Sequence, residues 1–353
     1  HVGAGLHRFP ARRDDRARQV PYAQPSGSRA RAVAGRRAVN GGLPLSYLKS
    51  SGARADMTLP LTWGLMIIAA AVVVIVCALV LTAIARSRTR AAGNAAADDA
   101  TAAWWVYFGV LVSTFVLVVT LVWTVRVLAV VNAPPEKAAL TIEVTGSQWW
   151  WKARYLDDDP SKVLTTANEI HVPVGKPVRI QLIGADVIHS FWVPALAGKT
   201  DAIPGQVNTT WIEASAPGRY HGACTEYCGL QHAHMAFDIV AEAPDDFAKW
   251  LAAQLAPAPA PSAAMKQGQH DFEFHCGACH TVRGTEAGGT VGPDLTHLMS
   301  RQTIAGGAAP NNAGMLAAWI ANPQAIKRGT RMPTLGLAGP QIGDISAYLA
   351  TLH

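Results

Sequence analysis

Residues 221–235 read HGACTEYCGLQHAHM. This stretch holds two of the chain's five cysteines, together with His221, His232, His234, Glu226 and Met235. Thiolates and thioethers are soft ligands, and imidazole suits copper, zinc and iron. The spacing Cys224-x3-Cys228-x3-His232-x2-Met235 therefore concentrates metal ligands in one short segment. It lies between two strand-like runs, GRYHG and AFDIVA, and such a loop is how a β scaffold holds a metal rigidly. A structural zinc site fits less well, because methionine is a poor zinc ligand and the gap between the cysteines is wider than in many zinc knuckles. A disulfide is compatible with an oxidising compartment but would leave His232 and Met235 unexplained.

Outward from this loop the chain continues in the same style. ALTIEVT (139–145), WWWKARY (149–155), EIHVPV (169–174), VRIQLI (178–183), NTTWIE (208–213) and AFDIVA (236–241) are rich in β-branched and aromatic residues and are separated by Gly, Pro, Asn and Asp. Short strands with regular turn signals predict a β-sandwich or barrel. The helix-like PDDFAKWLAAQ closes that unit, and LAPAPAPSAA (255–264) reads as a semi-rigid Pro/Ala linker. Beyond it, LAAWIANP and IGDISAYLATL are amphipathic helical pieces of a small α domain.

Upstream, Thr58 to Ala85 and Trp104 to Val125 carry no charged residue. At about 1.5 Å per helical residue, either run crosses a hydrocarbon core of about 30 Å. Trp104 and Trp105 open the second run as interfacial aromatics do. Arg86, Arg88 and Arg90 follow the first span, so the positive-inside rule puts the connection in the cytoplasm and everything after Val131 outside. The first 56 residues are strongly basic, and the remainder is slightly acidic, so the net charge of +6 belongs to this tail. The tail lacks apolar periodicity and a signal-peptide apolar region, and it is expected to be disordered. Met57 would make a natural start. Nucleic-acid binding by the tail is the sharper reading and is not adopted. Cys77, alone within the first span, reads as a small apolar residue. The expected organisation is a basic extension (1–57), a two-helix transmembrane hairpin (58–132), a β domain (133–254), a linker (255–267) and a small all-α domain (268–353).

A second motif, Cys276-Gly-Ala-Cys279-His280, is the attachment signature of a c-type haem. The cysteines form thioethers to the haem vinyls, and His280 is left for the iron. The small domain resembles a class I cytochrome c, which implies a second axial ligand from a methionine near the C-terminus. Met332, followed by Pro333, matches it, with Met315 and Met299 as competitors. GPDLTHL (292–298) resembles the loop that wraps the haem, with Pro293 near the ring.

The metal loop, together with HSFWVPALAGKTDAIPGQ (189–206), GSQWWWKARY (146–155) and the hairpin, resembles subunit II of the haem-copper cytochrome c oxidases. The resemblance extends to about residue 253. It implies a cupredoxin-like sandwich holding the binuclear copper centre CuA. Matched position by position, Cys224 and Cys228 would be bridging thiolates, and His189 and His232 would each bind one copper. Met235 would be a weak ligand and Glu226 would bind through its carbonyl, its side chain serving a magnesium ion shared with subunit I. Trp149 matches the family's tryptophan through which electrons enter. His221 and His234 fall outside the ligand positions.

A centre saturated by protein ligands passes electrons and does no bond chemistry, so no catalytic acid, base or nucleophile is expected in this chain. The implied function is the electron-input subunit of a respiratory cytochrome c oxidase with a fused cytochrome c. Its partners would be subunit I and other oxidase subunits, a donor such as a cytochrome c or the cytochrome bc complex, and the lipid bilayer of a bacterial plasma membrane. The rivals are the CuA-bearing subunit of a nitric oxide reductase and a copper chaperone. One departure is AAADDATAAWW before the second span, where many relatives carry a proton-channel glutamate; the sequence leaves open both substitution by Asp98 or Asp99 and a different entrance.

Overall fold

The structure, a computed structural model, describes residues 45–89, 99–133 and 137–353. The basic tail up to residue 44, most of the connection between the spans, Asp98 and the Asp99 side chain lie outside the described residues.

Two long helices, α1 (Ala53–Thr89) and α2 (Asp99–Asn132), extend past the uncharged runs at both ends. Their Leu, Val and Ile side chains are exposed all round, and both are long and apolar enough to cross a membrane. A helix apolar on every face suits lipid, where the backbone must satisfy its own hydrogen bonds. The expectation of disorder up to residue 57 fails over its last residues. Ser51 N–H donates to the Ala195 carbonyl at 2.8 Å, and Ala55 N–H to that of Leu196 at 3.1 Å. Arg54, 7% exposed, bonds the Thr210 hydroxyl and, at 3.1 Å, the Trp211 carbonyl. Residues 51–55 are thus built into the β domain, because their backbone finds partners there.

The β domain comprises β1 (Leu140–Ser147), β2 (Trp150–Leu156), β3 (Leu164–Ala167), β4 (Glu169–Pro173), β5 (Val178–Gly184), β6 (His189–Val193), β7 (Ala197–Ala202), β8 (Asn208–Ile212), β9 (Gly218–Cys224) and β10 (Ala236–Glu242). They form two five-stranded sheets, ordered β3-β2-β1-β5-β8 and β4-β10-β9-β6-β7. The architecture is a cupredoxin-like sandwich. β1 runs parallel to β5 and β4 parallel to β10, and the other pairs are antiparallel. Alternate residues of β5, β9 and β10 are buried, so each sheet turns one apolar face inward. β3, β6 and β7 were not anticipated as strands. β6 is buried almost throughout and so shows no alternation, and β7 (AGKTDA) is an edge strand carrying Gly, Lys and Asp.

Trp151, with no exposed surface, fills the centre. Its ring meets those of His189, Phe191 and Phe237 edge-on at centroid distances of 5.9, 5.8 and 5.5 Å. Gly222 makes room beside it, since a Cβ there would lie 2.3 Å from the Phe237 ring. α3 (Pro244–Leu255) covers one sheet by stacking Trp250 on His171 at 4.0 Å.

The Pro/Ala segment then runs along the helical domain. Ala258 N–H donates to the Arg283 carbonyl at 2.9 Å, and His297 Nε2 lies 3.0 Å from the Ala256 carbonyl oxygen. That domain contains α4 (Lys266–Cys276), the short pair β11 (Thr303–Ile304) and β12 (Ala309–Pro310), α5 (Ala313–Ala321), α6 (Pro323–Ile326) and α7 (Gly339–Leu349). α5 stops where Asn322 precedes Pro323, which disfavours helical backbone; the Asn322 side chain then caps α6. α4 crosses α7 closely at Gly268, where a Cβ would lie 2.1 Å from the Asp344 carbonyl oxygen.

Trp151→Ala removes the side chain that both sheets close upon. It should lower the unfolding free energy of the β domain by about 3–5 kcal/mol, read as an earlier denaturant midpoint in the detergent-solubilised protein. An unchanged midpoint would contradict its place at the core.

Candidate functional site

The metal loop is positioned by the strands on either side of it. β9 ends at Cys224 and β10 begins after Met235. Cys224 N–H donates to the Met235 carbonyl at 3.0 Å, so the loop is closed at its base. Thr225 N–H donates to the Ser190 carbonyl at 3.1 Å, which joins the loop to β6 and its first residue, His189. The sulfurs of Cys224 and Cys228 come to 3.7 Å. His189 Nδ1 lies 3.9 Å from Cys224 Sγ, and His232 Nδ1 lies 3.5 Å from Cys228 Sγ. Met235 Sδ is 3.8 Å from Cys228 Sγ, and the Glu226 carbonyl oxygen is 3.2 Å from Cys224 Sγ. The six atoms expected as ligands therefore converge. His189, Cys224 and Cys228 satisfy the distances of a metal-holding group.

Two thiols, two imidazoles, a thioether and a carbonyl match the preference of a soft, redox-active metal such as copper. The pair is electrostatically linked: the Cys228 thiol donates to Cys224 and draws its pKa far down, and the resulting thiolate holds Cys228 up. Burial lowers the His189 pKa, but hydrogen bonds to Cys224 and Asp186 outweigh it and leave it raised.

Asp186 was not anticipated. Its Oδ1 accepts from His189 Nε2–H at 2.8 Å and from Val187 N–H at 2.8 Å, and its Oδ2 accepts from Gln148 N–H at 2.8 Å. Desolvation would raise its pKa, but these bonds win and lower it. Holding Nε2–H fixes the tautomer that turns Nδ1 toward the sulfurs. The signal in the sequence was Asp186-x2-His189, too common a pattern to stand out. Gly146 completes the seat, since a Cβ there would lie 2.9 Å from the His189 ring.

Trp149 is 7% exposed, and its Nε1–H donates to the Cys228 carbonyl at 3.0 Å. The Glu226 carboxylate points outward to Lys199 at 3.6 Å. His221 pairs with Asp238 at 3.0 Å and His234 with the Gln231 side chain at 2.7 Å, so neither joins the sulfurs.

The second site is a cavity of about 280 Å³ lined by Cys276, Cys279, His280, Pro293, Leu295, Leu316, Trp319 and Met332, with Trp149 and Trp150 from the β domain. His280 Nδ1 donates to the Pro293 carbonyl at 2.8 Å, leaving Nε2 free as a ligand. Burial lowers the His280 pKa, which keeps the ring neutral, and the Pro293 carbonyl opposes it. Gly292 is required here, because a Cβ would lie 2.6 Å from the His280 ring. Met299 and Met315 pack on the domain core and are absent from the described cavity lining, whereas Met332 lines it. Arg301, buried and also lining the cavity, has an Nε without a partner among the described residues. Paired thiols, a free imidazole nitrogen, apolar walls and an orphan guanidinium nitrogen suit a haem with its acidic propionates.

Asp186→Ala should lower copper affinity about 10–100-fold, measured by competition with a chelator, with the fold retained.

Two family models match the chain: cytochrome C oxidase subunit II, periplasmic domain, over residues 155–243, and cytochrome c over residues 265–353. The chain is 39% identical over 214 residues to cytochrome c oxidase subunit 2 of Alkalihalophilus pseudofirmus, spanning 60% of each. It is 30% identical over 264 residues to cytochrome c oxidase subunit 2 of Bacillus sp. (strain PS3), spanning 70% of this chain and 73% of that one. Among solved structures it is similar to the periplasmic domain of subunit II of cytochrome oxidase of Bradyrhizobium japonicum. That likeness has 39% identity and a TM-score of 0.33, covering 35% of this chain and 96% of that one.

Proposed function

Because the chain belongs to the cytochrome c oxidase subunit 2 family, we propose that it is the electron-input subunit of a proton-translocating cytochrome c oxidase in a bacterial plasma membrane. The observation that carries this reading is the meeting of five soft or borderline ligand atoms and one carbonyl oxygen, the sulfurs of Cys224 and Cys228 among them. Such a set, closed by protein ligands, has no position for substrate. It suits electron transfer and not bond chemistry.

When bound, the copper pair and the haem supply reversible one-electron chemistry. Cys224 and Cys228, His189 and His232 would hold the coppers, with Met235 as a weak ligand and Glu226 contributing its carbonyl. Cys276 and Cys279 would tether the haem, and His280 and Met332 would hold its iron. The haem domain would be where a reduced donor delivers its electron. Trp149 lines the haem cavity and its indole is bonded to the Cys228 carbonyl, so it would connect the two sites. The held coppers would supply electrons to subunit I, where oxygen would be reduced to water. Glu226, whose carboxylate reaches outward, would share a magnesium ion with that subunit. Domain boundaries near residues 133, 255 and 268 follow from this reading.

Oxygen consumption by the purified complex, driven by a reduced cytochrome, tests the assignment; reduction of nitric oxide without oxygen uptake would overturn it. The ligand set is tested by substitution. Met332→Ala should keep the haem covalently attached, since Cys276 and Cys279 are untouched, but should abolish the near-infrared sulfur-to-iron band and lower the potential. Met315→Ala should keep the band. The reverse pattern would move the ligand to α5. Met235→Leu should retain copper, because two thiolates and two imidazoles remain, while shifting its potential; loss of copper from the folded variant would contradict a weak-ligand role.

A further inference from the structure

Lys327 belongs to neither ligand set, yet it is 2% exposed. Its Nζ donates to three carbonyl oxygens at 2.7 Å each, those of Trp149, His234 and Ala305. Trp149 and His234 are in the β sandwich, whereas Ala305 and the lysine itself are in the cytochrome domain. An ammonium has three N–H donors and no acceptor, so the three carbonyls use it completely. Burial pushes the Lys327 pKa down to about 7, but a neutral amine would be one donor short for these partners.

Further bonds across the same boundary surround the lysine. Ala236 N–H donates to the Gly306 carbonyl at 3.0 Å, and Gln231 Nε2 to that of Arg328 at 2.8 Å. Arg331 Nη2 lies 3.0 Å from Asp186 Oδ2, the carboxylate that orients His189. Gly306 has a φ of 67°, and a Cβ there would lie 2.6 Å from the Trp149 carbonyl oxygen and 2.8 Å from Lys327 Nζ. That approach is open only to glycine. Trp149 is thereby bonded through its carbonyl to the cytochrome domain and through its indole to Cys228.

We propose that Lys327 clamps the cytochrome domain onto the β sandwich and seals Trp149 between them, so that the two domains form a standing complex and not a tethered pair that must find each other at each turnover. The significance for electron flow rests on the functional reading above. The clamp itself does not.

The test uses the full complex with a protease site inserted between Pro259 and Ala260, where the linker is exposed. After cleavage, gel filtration in detergent should show the haem absorbance of the parent still co-eluting with the membrane-bound part. Lys327→Met keeps an unbranched side chain but orphans three buried carbonyls. It should weaken retention by about 100-fold or more, with haem and copper content unchanged before cleavage. The contacts of residues 254–258 are the same in both proteins, so the difference reads the lysine. Should Lys327→Met fail to incorporate haem or copper, Gly306→Ala, which clashes at the same carbonyl, reads the same boundary and should also release the domain. Release from the cleaved parent, or retention unchanged in the folded variants, would overturn the clamp. Retention needs no turnover, so a complex that holds its haem domain yet consumes no oxygen would refute only the functional reading.

Discussion

Two sulfur atoms held 3.7 Å apart are the constraint around which the loop of the β domain is arranged. As thiolates they repel, and as buried thiols they form only weak hydrogen bonds. The surrounding structure is organised to keep them there. β9 and β10 pin the two ends of the loop, β6 brings in His189 from the neighbouring strand, and Asp186 turns its ring. Beneath it, Trp151 supports His189, Phe191 and Phe237 together. A scaffold this rigid suits electron transfer, since ligands that cannot move need little rearrangement when the charge on the metal changes.

The cytochrome domain reaches an equivalent end by different means. Its cavity is walled by short helices and loops, so the positioning falls to single residues. Gly292 lets the wrapping loop lie against His280, the Pro293 carbonyl selects the free nitrogen of that ring, and Gly268 lets α4 and α7 cross closely. Burial raises the Cys276 thiol to about 11, with Cys279 adding to it, so the free thiol stays protonated.

Most of the architecture was legible because it rests on local signals. The uncharged runs marked the two helices, β-branched segments marked β1, β2, β4, β5, β8 and β10, and the soft-ligand spacing and Cys276-x2-Cys279-His280 marked the two sites. What escaped depends on tertiary placement. β6 carries a candidate ligand but is buried on both faces and shows no alternation. Asp186 is ordinary until its four partners are seen. Lys327 sits in a basic loop, IKRGTR, that reads as solvated surface, and only the docking of the two domains buries it. Residues 51–55 look like the end of a featureless tail, because the carbonyls that accept the N–H groups of Ser51, Ala53 and Ala55 lie more than a hundred positions downstream.

That short segment has a mechanical consequence. α1 begins while its first residues are still fastened to Leu196 and Trp211, and α2 leads on toward β1, whose preceding residue Ala139 donates to the Pro177 carbonyl at 2.9 Å. A lobe on one stalk can nod and swivel, but a lobe gripped at two stations behaves as a bracket. The height of the sulfur pair above the bilayer is then set by the lengths of two helices. The offset between the sulfur pair and the two helices becomes a built dimension.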